Sequence, residues 1–293
     1  MTYSLPIDLE NELNATSEQW HSDNRTARIW QKDATIWTNR GEDKWLGWLD
    51  IIGREIEEID KYIALRNDIE QSGFKDILLM GMGGSSLCPE VLAKTFEIKN
   101  FHILDSTVPA QVKAVEDRLD LTETLFIVAS KSGSTLEPNC FKQYFFDRVA
   151  QISDKPGRQF IAITDPRSKM EQVAREDGFR HIIFGEPTVG GRFSALSPFG
   201  MTAAAVMGLD VRQLLERANM MAELCRNEAP FNNPGALLGL ILGLCHKAGR
   251  DKLTILASPS VYDLGSWMEQ LVAESTGKNG VAIALKANSV LVA

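Results

Sequence analysis

The sequence predicts an α/β protein built on a doubly wound, five-stranded parallel sheet. Three observations predict it. Short, near-continuous apolar runs alternate with helical patterns between Lys75 and Phe184, which is how strands buried on both faces read. Turn-forming or polar residues follow the runs, among them Gly81, Asp105, Ser130 and Gly185. Five such runs in about 110 residues suffice for one complete doubly wound domain.

Taken in order, the first stretch is polar with scattered tryptophans, Trp20, Trp30, Trp37, Trp45 and Trp48. Trp45, Leu46, Trp48, Leu49, Ile52 and Ile56 fall at helical spacings and predict one helix, continuing through Ile59, Tyr62 and Ile63, with its aromatic stripe in the core. Residues 1–65 therefore read as a helical N-terminal arm. Strands are predicted at 76–80, 101–104, 125–129, 159–163 and 181–184, with helices from Pro89, over 108–119, 141–152 and 170–177, giving a sheet domain over 66–190. After Gly190 the rhythm breaks. Residues 197–208 are small and apolar and 211–227 amphipathic, and a helix is predicted over 238–248, a sixth strand over 252–257 and a helix over 262–273. The sixth strand has no visible neighbours, and a lone strand and helix make no independent sheet. Residues 191–293 thus read as connecting helices and an incomplete second α/β domain, with an unstable C-terminal region.

Composition narrows the function. With 31 Lys+Arg against 39 Asp+Glu, the net charge of −8 argues against a nucleic-acid partner, which needs a basic face. The longest apolar run, Ala236–Cys245, is far short of the roughly 18–20 residues of a membrane span and reads as a buried helix. Met1 to Glu10 has no Lys or Arg and no apolar core, so no signal peptide is expected and the cytoplasm is the expected location. Cys88, Cys140, Cys225 and Cys245 form no CxxC pair, and His21, His102, His181 and His246 form no HxxxH or HExxH spacing. No metal site is expected.

Ligands of open α/β sheets bind at the carboxyl ends of strands, so the residues after each strand carry the chemistry. Gly81-Met82-Gly83-Gly84-Ser85-Ser86 permits close backbone approach and free N–H groups. Ser130-Lys131-Ser132-Gly133-Ser134-Thr135 offers four hydroxyls and one ammonium, suited to a phosphate dianion. Arg192 follows two glycines, where a guanidinium can stabilise an oxyanion. Glu274 ends a helix, against the dipole, as a base candidate. An alternative stays open. Asp105 lies 24 residues after Gly81 at a strand end, near where a dinucleotide fold keeps its ribose acid, although Ser86 replaces the last glycine of that fingerprint. On that reading the chain is a dinucleotide-binding oxidoreductase.

At these loops the sequence resembles the glucose-6-phosphate isomerase family, whose core is two sugar isomerase (SIS) domains. The matching pieces are GMGGSSL (81–87), SKSGSTLEP (130–138), GGRFSALSPFG (190–200) and ESTGKNG (274–280), in the family's order. The lead ARIWQKDATIWT, followed by KWLGWLD, looks most like the isomerase half of fused transaldolase/glucose-6-phosphate isomerases. The resemblance runs over about residues 20–280. It implies two SIS-type, Rossmann-like units, the second truncated here. It implies phosphate contacts at Gly84, Ser85, Ser130, Lys131, Ser132 and Thr135, a substrate contact at Gly191, an enediolate-stabilising Arg192 and a base at Glu274. It implies interconversion of an aldose and a ketose 6-phosphate by a cytoplasmic homodimer of glycolysis and gluconeogenesis, with no cofactor or metal. The family's ring-opening His and late Lys lie beyond Gly280, where VAIALKANSVLVA does not resemble the expected continuation. A sugar-phosphate-binding SIS module without catalysis is the alternative within the family.

Overall fold

The computed structural model describes residues 1–261, 263–277 and 284–285. Twelve α-helices are described, α1 (Ile7–Ser22), α2 (Arg25–Trp30), α3 (Ile51–Glu57), α4 (Asp60–Ser72), α5 (Leu87–Thr95), α6 (Pro109–Glu116), α7 (Leu136–Ala150), α8 (Lys169–Glu176), α9 (Pro198–Val206), α10 (Val211–Leu224), α11 (Pro234–Lys247) and α12 (Leu264–Glu269). The strands of the main sheet are β1 (Asp76–Gly81), β2 (Phe101–Leu104), β3 (Thr124–Ala129), β4 (Phe160–Thr164) and β5 (His181–Phe184). They pair in parallel in the order β2-β1-β3-β4-β5. Each boundary lies within one residue of the sequence expectation.

Alternation along the strands divides the core. Ile77, Leu79, Leu125, Ile127, Ile161 and Ile163 face one layer, packed on Leu65 and Ile69 of α4, Ala93 of α5 and Phe199, Ala203 and Val206 of α9. Leu78, Met80, Phe126, Val128, Phe160 and Ala162 face the other, against Phe141, Phe145 and Val149 of α7 and Met170 and Ala174 of α8. Successive strand side chains point to opposite faces, so one run supplies both layers. Each fully buried Leu, Ile or Phe stabilises by roughly 1.5–3 kcal/mol. The residues of α9 are all buried, and its small Gly200, Ala203, Ala204 and Ala205 let it lie close to the sheet.

Four expectations are corrected. The single helix from Trp45 is instead two short 3₁₀ turns, Glu42–Trp45 and Gly47–Leu49, followed by α3 and α4. Leu46, Leu49 and Ile51 are buried, but Trp45 stands 53% exposed. A 3₁₀ turn repeats every three residues and shares spacings with a helix, so the apolar pattern does not separate them. The apolar run in α11 buries one stripe only, Leu237, Leu240 and Leu244 beside Leu13 of α1, and leaves Leu238 exposed. The sixth strand is only Lys252–Leu253 (β6), and it has a neighbour. It pairs in parallel with Ala284–Leu285 (β7). The helix expected over 262–273 is α12 continued by a π-helical turn, Gln270–Glu274; Tyr262 lies outside the described residues, as does most of the tail.

One ion cluster ties α4 to the edge of the sheet. The Asp68 carboxylate on α4 accepts from Arg180 Nε and Nη2 (2.6 and 2.7 Å) and meets His181 Nε2 at 2.7 Å. The Arg180 hydrogen bonds, with help from His181, hold its carboxyl well below the usual carboxylate range. Asp68→Ala is expected to destabilise the fold by about 1–2 kcal/mol, the value of charged hydrogen bonds discounted for partial exposure. A carboxyl depressed in the folded state contributes above its unfolded pKa of about 4 and loses that contribution as pH falls below it. The gap between wild type and variant in urea melts therefore narrows below about pH 4. A gap constant from pH 7 to pH 3 would refute the ion-pair account.

Candidate active site

The strand order fixes the crevice. The chain leaves β1 for β2 on one side and returns to β3 on the other, so the loops after β1 and β3 diverge at the carboxyl edge, the topological switch point. Gly83–Ser85 form a 3₁₀ turn before α5, and Thr135 is the N-cap of α7 in extended conformation. Asn139 Nδ2 donates to the carbonyls of Gly133 (3.0 Å) and Thr135 (2.7 Å) and stiffens the serine loop. Ser132 and Ser134 hydroxyls lie 2.7 Å apart.

Ser85, Ser130, Lys131, Ser132, Thr135 and Gly191 line one cavity of about 510 Å³. Two of its atoms, Ser130 Oγ and Asp165 Oδ1, are buried without a hydrogen-bond partner among the described residues. Buried polar atoms rarely stay unpaired, and both residues belong to the lining of this cavity. The Lys131 ammonium behaves otherwise. It donates to Asp165 Oδ2 (2.6 Å) and lies 3.1 Å from the carbonyls of both Glu186 and Pro187. Its three donors are matched by three protein acceptors. Segment 186–188 is itself held. Burial works against the charge of Glu186, but the Thr188 hydroxyl and N–H, with Arg54 and Lys131, outweigh it and keep that carboxyl below its ordinary value.

The second half of the site comes from the 3₁₀ turn Gly191–Leu196 and the π turn after α12. Ser194 Oγ donates to the Gly191 carbonyl at 2.7 Å and lies 3.3 Å from that of Gly84. The glycine loop after β1 and the arginine loop after β5 thus touch. Arg192 Nη1 is ion-paired with Glu274 Oε1, and its Nε donates to Ser275 Oγ at 3.1 Å. Arg192, Ser275 and Phe193 line an adjoining cavity of about 610 Å³. Of the residues singled out in the sequence, Ser85, Ser130, Lys131, Ser132, Thr135, Gly191 and Arg192 line these two cavities, Gly84 and Glu274 join them through Ser194 and Arg192, and Asp105 lines neither. π-helical turns are frequent at functional sites, and here one presents Glu274.

Three residues of the site are not among the functional candidates read from the sequence. Asp165 follows β4 at the same carboxyl edge, so reading on after the fourth strand finds it. Gln270 lies four residues before Glu274 and ends in the site with Oε1 buried and unpartnered and its amide close against Gly83. Trp45 lines both cavities. Among the described residues, no group of three or more His, Cys, Asp or Glu is placed to hold a metal ion, and no helix is long and apolar enough to cross a membrane.

The model of the phosphoglucose isomerase family matches residues 68–291. The chain belongs to the phosphoglucose isomerase family. The match runs past Gly280, where the sequence reading ends the resemblance, and it removes the support for a dinucleotide-binding oxidoreductase. In keeping with this, Ser86 is fully buried and bonds back to the Gly83 carbonyl at 3.2 Å. Curated relatives of the family include a glucose-6-phosphate isomerase of Methanocaldococcus jannaschii, 31% identical over 240 residues, 80% of this chain and 56% of that protein. Another, from a Synechococcus species, is 37% identical over 229 residues, 73% of this chain and 42% of that protein. The chain spans about half the length of the curated relatives it matches. Among solved structures, a hypothetical protein of Thermus thermophilus superposes with a TM-score of 0.76 at 27% identity, over 95% of this chain and 65% of that one. A glucose-6-phosphate isomerase of Chlamydia trachomatis, at 20% identity and a TM-score of 0.68, covers 87% of this chain and 49% of its own and shares the fold.

Proposed function

We propose that the chain carries the chemistry of a glucose-6-phosphate isomerase, interconverting glucose 6-phosphate and fructose 6-phosphate. The observation that carries this reading is the Arg192–Glu274 ion pair set beside a cavity lined with hydroxyls. Ser85, Ser130, Ser132 and Thr135, with backbone groups of Gly84 and Lys131, take the phosphate. This places the reacting end of the open-chain sugar toward Gly191 and Arg192. Glu274 removes the proton on the carbon next to the carbonyl. The C–H electron pair becomes the enediolate double bond, and the carbonyl oxygen takes the negative charge, which Arg192 offsets. The hydroxyl proton on the second carbon's oxygen passes to the first oxygen, the same carboxyl returns its proton to the neighbouring carbon, and no atoms are gained or lost. The same reading places the chain in the cytoplasm and, where the second domain is complete, makes it a homodimer, which light scattering reads as twice the chain mass of 32.5 kDa.

The experiment is calorimetric titration with glucose 6-phosphate, paired with a coupled assay of fructose 6-phosphate turnover. Ser130→Ala combined with Thr135→Ala is expected to weaken sugar-phosphate binding by roughly 2–4 kcal/mol, two lost hydrogen bonds to a charged group. Unchanged affinity would move the phosphate elsewhere. The hydroxyl-lined cavity, which Glu274 does not line, also fits a second reading, a sugar-phosphate-binding module. Binding without turnover selects it.

A further inference from the structure

We propose that Trp45 is the wall against which the sugar skeleton lies, a substrate contact contributed by the N-terminal arm; the inference rests on the isomerase reading above. Position is the first argument. Trp45 and Gly190 are the two residues that line both cavities, the hydroxyl-lined one of about 510 Å³ and the one of about 610 Å³ that reaches Arg192. A phosphate in the first and a reacting carbon at Arg192 leave the middle carbons to cross this shared rim. Gly190 puts no side chain there, and an added Cβ would meet open space. The indole is the surface that remains.

Rigidity is the second argument. An indole 53% exposed on a loop is ordinarily a loose one, but the segment directly after this one, residues 46–49, is pinned. The Gly47 N–H donates to the Thr188 carbonyl at 3.2 Å. A Cβ on Gly47 would stand 2.0 Å from Thr188 Oγ1, so the approach needs glycine. Trp48 stacks on Phe193, centroids 5.4 Å apart and rings 20° from parallel, and Phe193 directly follows Arg192. Leu46 and Leu49 are buried. The arm is therefore pinned to the same two segments that build the site, with Trp45 left facing the rim.

Chemistry is the third. The hydroxyls of a hexose point outward and leave patches of C–H, and binding sites meet such patches with aromatic faces while a few polar groups fix orientation. Inorganic phosphate has no such patch. Titration of the full chain with glucose 6-phosphate and, separately, with inorganic phosphate tests the proposal. Trp45→Ala is expected to weaken glucose 6-phosphate about five- to tenfold and to leave inorganic phosphate unchanged, with Trp45→Phe restoring most of the loss. Unchanged glucose 6-phosphate affinity in Trp45→Ala overturns it, and so does a parallel loss for both ligands, which would mark a structural role. If Trp45→Ala loses its cooperative melt, Trp45→Leu replaces it under the same two readings. A wild-type chain that binds phosphate but not glucose 6-phosphate overturns the isomerase reading and this inference with it, whereas wild-type binding with an indifferent Trp45 overturns this inference alone.

Discussion

Glu274→Gln is expected to cut fructose 6-phosphate turnover by about 10²–10⁴-fold, the contribution of a positioned general base, while sugar-phosphate binding survives. The substitution keeps shape and keeps an oxygen able to accept from Arg192. What it removes is the capacity to take a proton. The phosphate cradle draws on the loops after β1 and β3, and Glu274 is not among the residues that line it. Binding and turnover should therefore separate. Stopped turnover with intact titration heats assigns the base. Equal turnover in wild type and variant would place the base on another residue, and a wild type that binds but does not turn over selects the binding module.

The sheet is legible in the sequence because parallel strands covered on both faces are apolar without interruption, and that pattern does not depend on distant partners. Each of the five strands is bounded by the residue that turns the chain. The site is legible in part for the same reason, since its loops follow strand ends. Its pairings are not. Arg192 and Glu274 are 82 positions apart, and local pattern carries no trace of their contact. Lys131 shows the converse. A lysine in a serine loop reads as a phosphate ligand, yet Asp165 and two carbonyls from segment 186–187 hold its ammonium, acceptors contributed by later strands. Trp45 fails for a different reason. Its apolar spacing matches a helix, but the Gly47–Thr188 contact breaks the backbone into 3₁₀ turns and leaves the indole outside the core.

Gly84→Ala is expected to remove about a hundredfold of turnover and to lower stability by about 1–3 kcal/mol. An added Cβ at Gly84 would stand 2.2 Å from the Gly191 carbonyl oxygen and 2.4 Å from its carbon. Both obstacles are backbone, so no side chain can swing aside to make room. The loops after β1 and β5 must then part. Ser194 Oγ, which lies within reach of the carbonyls of both Gly84 and Gly191, loses its bridging place. Arg192 moves with Gly191, and a displacement of about 1 Å at a reacting group costs on the order of 10²-fold. Gly53→Ala is the control. It lies within α3 with nothing within 4 Å of the added Cβ, and alanine there should be neutral or stabilise by about 0.5–1 kcal/mol. Turnover with Gly84→Ala equal to wild type would show that the two loops yield independently, and the close packing of glycine on glycine would then carry no weight in placing Arg192.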